Sequence, residues 1–185
     1  MKLRKPPYPE IAGKAVYFYT HGGHRQTGIE TAVSVIREAD KREHDALAED
    51  PLWQAFTSHM GDWVIESLLQ GAWMREYHEW EKATKAYFDG SHARNGCGKV
   101  DWRAKLPGVP GPSHVDRVRA QLALFGASVP ADALATVDRT REQVNLAKHE
   151  AEHFISEADY RALMQAVLAF WEALAEQEEF TPPAR

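Results

Sequence analysis

Residues 51–90 read PLWQAFTSHMGDWVIESLLQGAWMREYHEWEKATKAYFDG, and this stretch decides the fold. Trp53, Phe56, Met60, Trp63, Val64, Leu68, Ala72, Trp73, Tyr77, Trp80, Tyr87 and Phe88 recur mostly at steps of three and four, with charges between them. That period is helical, and the apolar face is broad enough to meet several neighbouring helices. Asp50-Pro51 offers a cap and a first-turn proline at the start. Gly61-Asp62 offers a break into a short helix and a long one, and Gly90 a stop.

The pattern extends in both directions. Upstream, Thr27 and Glu30 fit a capping box, and Ile29, Val33, Ile36 and Leu47 mark a first helix ending near Glu49. Residues 1–26, rich in Pro, Gly and His, are expected as an N-terminal arm. Within it Ala15 to Tyr19 reads as a short strand or extended piece, and one strand needs a partner, such as a second subunit. Downstream, residues 90–112 read as an exposed, mobile loop with basic character from Arg94, Lys99, Arg103 and Lys105. Ser113 and Asp116 then start a helix that Gly126 stops. Ser128-Val129-Pro130 opens another, with Leu134, Val137, Val144 and Ala147 on its buried side, running to about His153. Ser156 and Asp159 start the last one, with Tyr160, Leu163, Met164, Val167, Trp171 and Leu174 on one face, ending before Phe180. The expectation is an all-α bundle of about five to six helices, with residues 27–180 as a single domain. The aromatic face on residues 53–88 and the last helix lead us to expect a homodimer.

The bulk properties narrow the function. The chain has 185 residues, 44% hydrophobic and 26% charged, with a net charge of −5. It can bury a core, and it lacks the overall basic balance of a tight duplex DNA binder. The one cysteine, Cys97, makes neither an intrachain disulfide nor a Cys-rich zinc site. No apolar run approaches the ~18–20 residues of a membrane span, and MKLRKPPYPE lacks the apolar segment of a signal peptide. These features point to the cytoplasm and away from a membrane.

The chemistry concentrates in RTREQVNLAKHE. Arg141, Asn145 and His149 follow one another at steps of four, each advancing about 40°, and so form a slowly turning polar ridge. A cation, an amide and an imidazole on one ridge suit a phosphodiester. Arginine can neutralise phosphate oxygens, asparagine can orient a hydroxyl or the imidazole, and histidine can move a proton near neutral pH. Lys148 and His153 beside the ridge are candidate binding residues. From spacing alone a solvated helix face is the commoner source of such a polar ladder.

Three other constellations compete. His149-Glu150-Ala151-Glu152-His153 matches the HExxH pattern of zinc peptidases, with Glu172 as a third candidate ligand. Against it, Glu152 puts a charge where such a helix needs an uncharged residue, and no sheet edge is in prospect to hold a substrate. His21-Gly22-Gly23-His24 could bend two imidazoles toward one ion, though as a flexible arm it needs no ligand. Trp73, Tyr77 and Trp80 read as core, with Glu76 or Glu81 free to pair with a bundle arginine. We therefore expect no metal and no cofactor.

The run AWMREYHEWEKATKAYF, followed downstream by REQVNLAKHE, resembles the HEPN (higher eukaryotes and prokaryotes nucleotide-binding) superfamily over roughly residues 55 to 178. Val144-Asn145-x-x-Lys148-His149 is similar to its Asn-containing, His-ending motif, and Tyr77, Trp80 and Glu81 to its early aromatic–Trp–Glu cluster. The resemblance implies a helical bundle that often dimerises and, in active members, metal-independent RNA cleavage by toxin or phage-defence proteins. Carried over, His149 is the acid/base for attack by a ribose 2′-hydroxyl, Arg141 stabilises phosphate charge and Asn145 positions the groups. Seven residues separate Arg141 from His149, a wider spacing than the family's usual one. The leading expectation is thus a protein that binds or cleaves RNA as a homodimer. A non-catalytic, antitoxin-like module with a protein partner and a small HExxH zinc hydrolase are the rivals.

Overall fold

A computed structural model describes residues 1–4, 9–46, 50, 52, 60–147 and 154–179, with the side chains of 9–22 and 147 excepted. Among the described residues the chain forms five α-helices and no strand: α1 (Pro9–Ala46), α2 (Met60–Arg94), α3 (His114–Phe125), α4 (Ala131–Ala147) and α5 (Glu157–Gln177). The all-α expectation holds.

Three long helices make the core. Arg25 of α1 meets Glu76 of α2, and Asp40 of α1 lies against Gly61 of α2, so these helices are antiparallel. Arg37 bonds Glu157 and Arg161 bonds Glu30, so α1 is antiparallel to α5 as well, and α2 and α5 run parallel. Between them Trp73, Trp80, Phe170 and Leu163 are fully buried. Trp80 meets Phe170 edge-on at 5.5 Å, a favoured geometry for aromatic pairs. α4 returns along α5, its approach fixed by Gln177, whose side chain accepts from the Ser128 amide and donates to the Ser128 carbonyl.

Local signals place the ends of the later helices. Ser113 caps α3 and Ser156 caps α5, each in a reciprocal capping box with Asp116 or Asp159. Gly126 ends α3 at φ 62°, a conformation in which a side chain would be strained. Leu52 donates its amide to Asp50, as the expected cap requires.

Several expectations are corrected. Residues 15–19 are helical, because α1 starts at Pro9 and continues through residue 26 without a break. The Thr27/Glu30 pattern caps nothing. A cap works only where backbone N–H groups lack upstream carbonyls, and here Thr27 Oγ1 bonds back to Gly23 O at 3.0 Å, in mid-helix. His21 to His24 likewise lie on this helix rather than in a loop. Gly90 does not stop α2; the turn comes at Asn95-Gly96, with Gly96 at φ 73°. The long helix begins at Met60, next to Gly61-Asp62, and residues 53–59 before it lie outside the described residues. Ser91, beyond Gly90, is fully buried, and this packing carries the helix past the glycine.

The segment after α2 is anchored rather than a free connector. One oxygen of Asp89 accepts from Val100 N and from Trp102 Nε1, both at 3.1 Å. Trp102 then packs on Phe88 and on His114. Arg94, expected in a basic loop, is half-buried in the last turn of α2 and donates to Ser91. The aromatic face expected at a dimer contact is spent on the chain's own core, where Trp73, Tyr77, Trp80, Tyr87 and Phe88 are buried, although Trp63 remains 68% exposed.

Candidate functional site

The polar centre of the molecule lies where α2, α3 and α4 meet. Tyr77 is buried on α2, and its hydroxyl donates to Glu81 Oε1 at 3.3 Å. Burial first, then the Glu81 charge, hold the phenol proton well above its ordinary range, while Arg141 of α4 acts in the opposite direction. The other oxygen of Glu81 meets His78 Nδ1 at 3.2 Å. One turn on, Thr84 Oγ1 and His114 Nε2 are 2.7 Å apart, and the His114 ring packs between Trp80 and Trp102. Burial pushes the His114 pKa down to about 4, with Lys85 and Arg117 adding to the fall and Glu81 opposing it. His114 is therefore neutral near pH 7.

Arg141 projects from α4 toward this centre. Its Nε meets Asp138 Oδ1 at 3.2 Å and its Nη2 meets Glu142 at 3.3 Å. Asp138 is shared, since its other oxygen takes Arg119 of α3 at 3.4 Å. Asn145, one turn beyond Arg141, is exposed. The described part of the ridge thus leads from the shared Asp138 pair outward to solvent. Lys148, His149 and His153 lie outside the described residues.

The HExxH histidines fall outside the described residues, and Glu172 is on the exposed side of α5. Among the described residues, no group of three or more His, Cys, Asp or Glu could hold a metal ion. Trp73, Tyr77 and Trp80 are core, as expected, and Glu76 does pair with a bundle arginine. Its carboxylate receives Arg25 Nε at 2.6 Å and Nη2 at 2.8 Å, with Glu76 only 2% exposed. Beside this pair, α1 and α2 enclose a cleft of about 460 Å³. Gly28, Ile29, Leu68, Gly71 and Ala72 line it, with Arg75 alongside.

No protein-family model, curated protein or solved structure matches this chain. The chemistry of the site must therefore speak for itself. The ridge residues were readable because a helix repeats locally. His114, Asp138 and His78 were missed. The His78–Glu81 spacing of three was visible as a helical pair, but nothing in the sequence brings His114 to Thr84, thirty residues away. No helix of the described residues is long and apolar enough to cross a membrane.

Proposed function

We propose that this chain is a HEPN-like helical protein that binds RNA and cleaves it without a metal ion, as a homodimer of the toxin or defence type. One observation carries the reading. Helices α2 and α4, which carry the two distant segments of the resemblance, pack against each other in the fold. In this reading Arg141 meets the phosphate, Asn145 orients the reacting groups and His149 exchanges the proton, with Lys148 and His153 at the edge of the bound strand.

The test is incubation of the purified chain with single-stranded RNA in excess chelator. Cleavage that survives chelation and disappears in His149→Ala and Arg141→Ala supports the reading. Cleavage that requires added zinc and is lost in His153→Ala refutes it in favour of a hydrolase. Static light scattering at micromolar concentration should give twice the monomer mass, and a monomer refutes the dimer.

A second reading has its own support. Asp138 and Glu142 already balance the Arg141 charge, an arrangement that weakens attraction for a polyanion. A non-catalytic module that binds a protein partner has this property. It is favoured if the wild-type chain leaves RNA intact under all these conditions.

A further inference from the structure

We propose that the cleft between α1 and α2 is a binding site for a small amphiphilic anion, an acyl chain ending in a carboxylate. The inference is independent of the RNA-cleaving reading and concerns the groove beside α1 rather than the ridge on α4.

The cleft has a charged end and an uncharged end. Its α2 wall runs from Ser67 and Leu68 through Gly71 to Arg75 and Glu76, and at 1.5 Å per residue Ser67 and Arg75 are about 12 Å apart along the axis. α1 runs the opposite way, so Arg25 stands at the Glu76 end, and Ile29 lies one turn further into the groove. The volume of about 460 Å³ falls within the range of roughly 300–1,000 Å³ typical of small-molecule sites. Gly28 and Gly71 keep it open, one from each wall. A Cβ built at either meets nothing within 4 Å, and any larger side chain there would enter the cleft. Alanine is the better helix former at both positions, so the open space is kept at a cost in helix stability.

Charge selects the ligand. Glu76 is buried and takes two bonds from Arg25, so these two charges cancel. Arg75 is exposed and makes no ion pair among the described residues; Glu79, one turn on, is taken by Lys82 at 2.9 Å. The lining therefore carries one uncompensated positive charge, at one end, in a chain whose net charge is −5. A guanidinium presents paired N–H donors that match the two oxygens of a carboxylate. From that anchor a chain laid toward Ile29 and Leu68 crosses only small and apolar side chains. Both of these residues are half-buried, and removing the ligand's methylene groups from water over them supplies the rest of the affinity. A short anion leaves this apolar stretch unused, and a cationic amphiphile meets Arg75.

Isothermal titration calorimetry of the full chain with octanoate, beside acetate and octylamine, tests this. Octanoate should bind at one saturable site with a Kd of about 1 mM or tighter, and neither acetate nor octylammonium should saturate at the same concentrations. Arg75→Gln should weaken octanoate about tenfold, as loss of one charge-assisted contact does. Gly71→Leu fills the cleft and should abolish binding, while thermal melts show it as stable as wild type or more so. Absence of saturable octanoate binding, equal binding of octylammonium or acetate, or undiminished binding in Arg75→Gln or Gly71→Leu overturns the proposal. If Gly71→Leu instead splits a dimer seen by light scattering and octanoate gives no heat, the groove is a subunit contact and the proposal falls. Cleavage of RNA in chelator is scored separately, so either reading can fail without the other.

Discussion

Replacing Arg25 with Ala should turn the α1–α2 contact into a pH-dependent weakness. Arg25 gives Glu76 two charge-assisted bonds, and Glu76 is 2% exposed while Arg25 is 21% exposed. Removing one partner of a buried pair leaves an uncompensated charge and costs about 3–5 kcal/mol. Arg25 keeps some contact with water, so the lower end applies, about 3 kcal/mol. For a chain of this size that corresponds to a Tm lowered by about 6–12 °C at pH 7. The sign of the pH effect follows from burial. Without its cation, the buried Glu76 carboxyl binds a proton more tightly folded than unfolded, so the folded state holds more protons above pH ~4.3. Stability of the variant therefore falls as pH rises from the unfolded value toward the folded one, by up to about 1.4 kcal/mol per unit. Thermal melts of wild type and Arg25→Ala from pH 5 to 8 measure this directly, and the gap between the two Tm values should narrow toward pH 5. Replacing both partners, with Arg25→Met and Glu76→Leu, should recover much of the loss. A pH-independent gap of less than 1 °C refutes the assignment of Glu76 as a buried, dependent charge.

Other outcomes follow from the same structure. Gly71→Ala and Gly28→Ala should each stabilise the fold by about 0.5–1 kcal/mol, since an added Cβ meets nothing within 4 Å and helical glycine is entropically costly; a melting temperature lowered in both contradicts this. His114, with its pKa pushed down to about 4, resists protonation when folded. Between its ordinary value near 6.5 and about 4 the unfolded chain binds the extra proton, so stability should drop as pH falls through that window, and His114→Gln should flatten the drop in urea titrations. Asp89→Ala removes two acceptor bonds and should cost about 1–3 kcal/mol, read as faster proteolysis between residues 97 and 106 and a shifted Trp102 emission.

Much of the architecture was legible where the decisive forces are local. Ser113/Asp116, Gly126 and Ser156/Asp159 act through bonds to their own backbone neighbours, and they mark the helix ends as the sequence suggested. The first helix was misread because Thr27 and Glu30 carry a capping pattern that is inert inside a continuous helix. Gly90 was misread because burial of Ser91 outweighs a weak local preference. For the site, Arg141 and Asn145 could be placed on one ridge by periodicity alone. The partners that define their surroundings could not. Arg119 comes to the Asp138 that Arg141 shares through tertiary packing of α3 on α4, and the Arg25–Glu76 pair was anticipated only from the glutamate's side.

The stapling of Val100 and Trp102 to Asp89 divides the glycine- and proline-rich stretch into two unequal parts. Up to Trp102 its length is fixed, because the indole must arrive at the imidazole of His114 from one side while Trp80 waits on the other. After Arg103 the chain is exposed at most positions before the Ser113 cap, with one tight turn at Leu106 to Val109. Extra residues, a reporter peptide or new chain ends are therefore tolerated near Gly111 and not near Gly98. The portion richest in glycine and proline is also the part of the molecule most open to being lengthened or cut without disturbing the neutral imidazole beneath it.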